Sequence, residues 1–271
     1  MDIKLKKAYT PSHQENKMKH EGDVVRARNN FYEKGKRGNL YFLIKSRFEW
    51  MNQFIQEDEV GLEVGCGTGV SKEFIKCRHY SISDFTDFDF LDYRNINALE
   101  TGFKDSSYDF IIASNMIHHI PYPVRFFEEM SRILKPGGKL IIQEVNGSWS
   151  MRFLLRLMKH EGYNYSVDVF NKNEISTSEN DLWSGNDVIP NLLFDNLTEF
   201  KNRVGYFNCI HHSFSEFLIF LNSGGVIAKT RHIPLPLVLL KALNLVDKML
   251  IRLAPQFFAL QRQIVLINTK N

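Results

Sequence analysis

The sequence predicts an α/β fold: a doubly wound, mostly parallel sheet carrying a helical cap or insertion. Three observations lead there. Mostly apolar runs at Glu59–Val64, Tyr80–Ser83, Tyr108–Ser114 and Lys139–Val145 alternate with helical patterns, the order of a parallel sheet built from crossover units. A glycine-rich turn, Gly65–Gly69, directly follows the first run. The 271 residues are 44% hydrophobic and 24% charged, ordinary globular usage in a chain long enough to bury a core without disulfides or a structural metal.

Residues 1–39 read as a loosely ordered basic arm. Leu40, Leu43, Ile44, Phe48, Met51, Phe54 and Ile55 recur at helical spacing and predict a helix leading into the first strand. After the glycine turn a short helix is expected through about Lys76, then the second strand. Pro123–Leu134 carries its apolar residues on one face, and Lys135–Gly138 stops that helix and turns the chain. Residues 40–150 thus form the core. Residues 151–200, with a polar middle, read as a cap over the sheet. Residues 201–271 complete the sheet with strands near Val204–His211 and Gln263–Ile267 and an amphipathic helix between them.

Charge and cysteines narrow the function. Net charge is +3, yet residues 1–48 carry twelve Lys/Arg against five Asp/Glu, and residues 229–271 seven against one. The basic ends could meet phosphates or an anionic membrane surface, or be solvated faces. Aromatic residues do not interleave with them as a nucleic-acid stacking platform requires, so no nucleic-acid partner is expected. Cys66, Cys77 and Cys209 are odd in number and form no CxxC pair, which argues against a disulfide framework or cysteine zinc site and for the reducing cytoplasm. The start lacks a secretory h-region, and no run of about 18 charge-free apolar residues could span a membrane.

The sharpest local feature is GLEVGCGTGV, Gly61–Val70. Alternating glycines turn tightly and let backbone approach a ligand, and a helix N-terminus behind them would offer free N–H groups. The spacing is not the GxGxxG of dinucleotide sites. Asp84, at the end of the second strand, can accept both hydroxyls of a ribose.

With GLEVGCGTG, Asp84, NALETGFKDSSYDFI, SNMIHHIPYPVRFFEEMSRILKPGG and KLIIQE in that order, the stretch Leu62–Glu144 resembles a class I S-adenosylmethionine-dependent methyltransferase of the small-molecule, Rossmann-like type. MKHEGYN, SGNDVIPNLLFDN and FLNSGG look similar to segments of bacterial members associated with surface-polysaccharide genes. The resemblance implies S-adenosylmethionine as cofactor. Gly65, Cys66, Gly67 and Gly69 would lie beneath its methionine and ribose, with Glu63 near its amino group. Asp84 would hold the ribose hydroxyls with Phe85 beside it, Asn97 and Ala98 would flank the adenine, and Ser114 and Asn115 would face the reacting methyl. Asn97 stands where the family commonly has Asp, and the segment after Asp84 is short, so the adenine-side helix is expected to shrink to a loop.

The expected reaction is methyl transfer to a small-molecule or glycan-type hydroxyl, whose proton a histidine is suited to remove. His119, ahead of His118, is the candidate base, though the pair could instead simply cap its loop and pack against Pro121. His160 and Glu161 are a second candidate pair reaching in from the cap. His211 and His212 lack a carboxylate or Cys at ligand spacing and read as structural, so no metal is expected. Lys241, Asn244, Lys248 and Arg252 form a stripe opposite the apolar face of the last helix. That helix is either an interfacial one or an ordinary amphipathic one packed on the sheet. The first reading would suit a lipid-linked or quinone-like acceptor at the inner membrane face. A non-catalytic cofactor-binding partner is the remaining alternative.

Overall fold

A computed structural model describes residues 7–12, 14–33, 37–181 and 183–270; positions 1–6, 13 and 34–36 of the expected arm lie outside them. Six strands form one sheet: β2 (Val60–Val64), β3 (His79–Ile82), β4 (Tyr108–Ser114), β5 (Leu134–Val145), β7 (Phe207–Ser215) and β8 (Gln261–Asn268), in the order β3-β2-β4-β5-β8-β7. The first four run parallel, while β8 is antiparallel to both β5 and β7. The fold is therefore a Rossmann-like, mostly parallel sheet with helices on both faces. The order reverses beside β2, and ligands in such sheets bind beyond the carboxyl ends of the strands at that point.

Period-two alternation splits the core between the two faces. Along β4, Ile111 and Ala113 join one apolar cluster with Phe126, Phe127 and Met130 of α4 (Pro123–Ile133). Phe110 and Ile112 join the other, with Ile44 and Phe48 of α3 (Gly38–Glu49). Gly61 is required by this packing, because a Cβ there would lie 2.0 Å from Cζ of the Phe110 ring.

Three local expectations are corrected. The segment expected as a loose arm contains α1 (Lys17–Glu21) and α2 (Val24–Glu33). Ala27 and Phe31, one turn apart, are buried in α2, and Phe31 packs on Tyr41 and Phe74. The helix expected after the glycine turn is one 3₁₀ turn, Val70–Glu73, entered through a left-handed Gly69. Too few N–H groups align there for a helix-terminal anion site. Lys135–Gly138 does not separate helix from strand but belongs to β5: Leu134 pairs with Tyr108, the register shifts, and Lys139 pairs with Phe110.

Between β5 and β7 lie α5 (Trp149–Met158), the short strand β6 (Tyr163–Asn164), α6 (Ile189–Phe194) and α7 (Leu197–Val204), the last two packing Ile189, Leu193, Phe194 and Phe200 into the same core cluster as α4. The short strand β1 (Ala8–Tyr9) pairs antiparallel with β6, tying the amino-terminal segment to it. At the other end lie α8 (Leu218–Leu221), α9 (Leu237–Leu253) and α10 (Pro255–Phe258). Asp247 of α9 is buried and accepts the amides of Phe217, Leu218 and Ile219, at 3.0, 2.9 and 3.1 Å. It thereby satisfies donors at the start of α8 that would otherwise be orphaned.

Candidate active site

A cavity of about 900 Å³ opens at the carboxyl edge of β2, β3 and β4. One end is the glycine loop. Gly65, Gly67 and Gly69 all adopt left-handed φ, +63°, +53° and +62°. A Cβ on Gly69 would strike Ile82 Cδ1 at 2.7 Å, whereas nothing lies within 4 Å of one on Gly67. A side chain at Gly67 would therefore project into the cavity, not into protein. The Gly67 amide donates to Asp84 Oδ2 at 2.9 Å, and the Thr86 amide and hydroxyl donate to Oδ1 at 3.1 and 2.9 Å. Asp84 is thus fixed against the loop with acceptor capacity left for a ligand. Residues 83–107 hold no helix, as expected. Phe85, Ile96, Asn97 and Ala98 line this end, and Asn97 Oδ1 already accepts the Leu99 amide.

Elsewhere in the wall two imidazoles meet three carboxylates. Glu144, at the end of β5, accepts the amides of Met116 and Ile117 on Oε1 and binds His118 Nδ1 through Oε2 at 2.7 Å. His119 Nδ1 donates to the Ser184 carbonyl at 3.1 Å. Nε2 of each ring points to Glu161, at 3.7 Å for His118 and 3.6 Å for His119. Burial opposes charging His118, but Glu144, then Glu161 and Asp187, push its pKa up to about 10. Burial and the neighbouring His118 hold His119 below the ordinary histidine value. Glu161 is held low by the two imidazoles in spite of its burial. Asp187 is pushed well up by burial and by Glu161.

The structure brings Gly65, Gly67, Asp84, Phe85, Asn97, Ala98, Asn115, His118, His119, His160 and Glu161 to this one cavity. Asn115 is a non-glycine residue at φ +52°, with its amide on the Gln143 carbonyl at 2.7 Å. Cys66, Gly69, Ser114 and Glu63 do not line it. Cys66 is half-buried and bonds by its amide to the Ser83 carbonyl, and burial raises its thiol. Ser114 lies at the end of β4, its hydroxyl 3.4 Å from Asn115 Nδ2. Two parts of the wall were not foreseen: Asp23–Val25 at the start of α2, and Val226–Ala228 after the left-handed pair Gly224–Gly225. The FLNSGG string carried that turn, but nothing local tied it to a pocket.

Glu63 faces inward, its carboxylate accepting from the Ser71 hydroxyl and, at 2.9 Å, from Tyr80. Burial pushes this carboxyl up from 4.5 to about 7, against the opposing effect of those two donors. The unfolded chain ionises it near 4.5, so stability from this group falls as pH rises from 4.5 to 7 and the loss is complete above 7. Glu63→Gln is expected to be more stable than wild type at pH 8 by up to ~3 kcal/mol, and nearly equal to it below pH 4. Urea denaturation at both pH values checks this; a pH-independent difference contradicts it.

Residues 62–142 match the family model described as "Methyltransferase domain". The chain is 31% identical over 125 residues to the highly reducing polyketide synthase ctvA of Aspergillus terreus, covering 38% of this chain and 5% of the synthase. It is 36% identical over 112 residues to methyltransferase calH of Penicillium decumbens, covering 31% of each. The matched stretch thus spans a small part of these curated relatives. A solved S-adenosylmethionine-dependent methyltransferase of Archaeoglobus fulgidus overlays 88% of this chain and 98% of its own, with TM-score 0.49 and 15% identity.

Proposed function

We propose, for a chain whose residues 62–142 match a methyltransferase-domain model, that the whole protein uses S-adenosylmethionine and transfers its methyl to a hydroxyl on a small acceptor with an apolar body. The residues present fit the cofactor. The cradle at Gly67 is open only because no Cβ fills it, and the fixed Asp84 offers acceptors for a ribose diol beside it. Gly65 and Gly67 would hold the methionine and ribose portions, and Ile96, Asn97 and Ala98 the adenine. When bound, the cofactor supplies an electrophilic methyl on a sulfonium.

The observation that carries this reading is one cavity lined both by that cradle and by the His118–His119–Glu161 group. An attacking hydroxyl must lose its proton, and these are the side chains at that wall able to take or displace it. Met151, Leu154, Leu155 and Met158 of α5 and Phe220 and Leu221 of α8 line the acceptor side, excluding water and favouring an apolar body over a bare sugar.

A lipid-linked acceptor is the second reading, favoured by one specific observation. Helix α9 buries only Leu240, Asp247 and Ile251. Leu237, Val238, Leu239, Leu245, Met249 and Leu253 are each more than half exposed, alongside exposed Lys241, Lys248 and Arg252. This arrangement suits the boundary of an anionic bilayer better than the sheet-packed apolar face that the sequence pattern allowed. No helix among the described residues is long and apolar enough to cross a membrane.

A fractionated lysate given methyl-labelled S-adenosylmethionine and the protein tests both readings. Label is expected in organic-extractable small molecules. Label confined to membrane-pelleted lipid selects the second reading. Label only in RNA or protein, or none from protein that binds the cofactor, overturns both.

A further inference from the structure

The His118–His119–Glu161 group has the geometry of a metal site as well as that of a proton acceptor. Both rings are tied through Nδ1, one to the Glu144 carboxylate and one to the Ser184 carbonyl. With Nδ1–H donated to such partners, the position left for an ion is Nε2, the arrangement that orients a metal-binding histidine; on His118 an ion takes the place of the Nε2 proton. The two Nε2 atoms then converge on different oxygens of one carboxylate, at 3.7 and 3.6 Å. Those separations are longer than a hydrogen bond. Either one is close to the roughly 3.4 Å edge that a nitrogen and an oxygen ligand, each about 2.1 Å from a tetrahedral ion, would share. All three donor atoms fall within 4.8 Å of one another.

The surroundings also favour an added cation. Glu144, Glu161 and Asp187 place three carboxylates around two imidazoles in a region closed to bulk water on the protein side. Asp187 is 2% exposed, and its Oδ1 has no hydrogen-bond partner among the described residues. A buried orphaned acceptor beside the cluster is a group that a bound ion or its water would satisfy. Adjacent histidines with a distant glutamate form no familiar ligand spacing, and the expectation of no metal was drawn from His211 and His212 alone.

We propose that His118, His119 and Glu161 bind one divalent transition-metal ion of the zinc class, with an open coordination position facing the cavity. Two imidazoles and one carboxylate suit zinc, cobalt or iron(II) better than magnesium or calcium, which prefer all-oxygen sites. Binding of the ion stands independently of the methyl-transfer reading; its role rests on that reading. An acceptor hydroxyl on the open position would ionise at lower pH, its proton leaving to water.

The test uses the full chain stripped with a chelator, titrated with Co²⁺ and Zn²⁺ by calorimetry and by cobalt absorption. One equivalent of Co²⁺ with a visible ligand-field band, displaced by Zn²⁺, is expected. Glu161→Gln and His119→Asn are each expected to weaken binding by more than about 100-fold. Because His119 is partly exposed, its variant serves if Glu161→Gln fails to fold. No stoichiometric binding, or unchanged affinity in a folded variant, overturns the site. Titration of the same stripped protein with S-adenosylhomocysteine separates the two ideas. Cofactor binding without metal binding removes the ion alone, and loss of cofactor binding removes the methyltransferase reading.

Discussion

Gly67→Asp is expected to abolish binding of S-adenosylmethionine, and Asp84→Ala to weaken it by about 10- to 100-fold, while both proteins stay folded. Aspartate tolerates the left-handed conformation better than most residues, so the φ of +53° at position 67 does not by itself break the loop. Its side chain, however, enters the open cradle and sets a second carboxylate beside Asp84. The alanine at position 84 removes the acceptor for the ribose and frees the Gly67 and Thr86 amides it now holds. Hydrogen bonds to a charged group contribute about 1.5–3 kcal/mol each, which sets the scale. Calorimetric titration with S-adenosylmethionine and S-adenosylhomocysteine measures it. Wild-type affinity in Gly67→Asp would remove the glycine loop from the cofactor site.

The second large effect concerns stability. Arg47 of α3 and Glu216, just beyond β7, form a two-pronged pair with both bonds at 2.8 Å and both side chains 6% exposed. Removing one partner strands the other charge in the interior, at a cost of about 3–5 kcal/mol. Arg47→Ala and Glu216→Ala are each expected to lower Tm by on the order of 10 °C. The double variant should lose much less than the sum, since no charge is then left unpaired, with a coupling of roughly 2 kcal/mol. Additive losses in thermal or urea denaturation would show that the pair is not the source.

What was legible in the sequence is what local chemistry dictates. Strands β2, β4 and β5 announce themselves because both of their faces are buried, leaving apolar runs such as Phe110–Ala113. The glycine loop and Asp84 were legible because the fold brings the ends of β2 and β3 together whatever fills the interval. Beyond that, local signals fail. The Asp23–Val25 wall belongs to a polar segment whose helix is held by Phe31 packing on Tyr41 and Phe74, contacts that no local periodicity encodes. Glu144 reads as the last residue but one of an apolar strand, and only the register of β4 against β5 sets it beside His118. The orientation of α9 stayed open for the same reason: a periodic pattern identifies a face without saying which way it points.

The grip of Asp247 on three successive amides has a mechanical consequence. Helix α9 is clamped to the start of α8, and α8 carries Phe220 and Leu221 into the cavity wall. The exposed leucines of α9 and the inner surface that meets the acceptor are therefore two ends of one short lever. Pressure on the outer end has a direct route to the inner one through the Asp247 carboxylate.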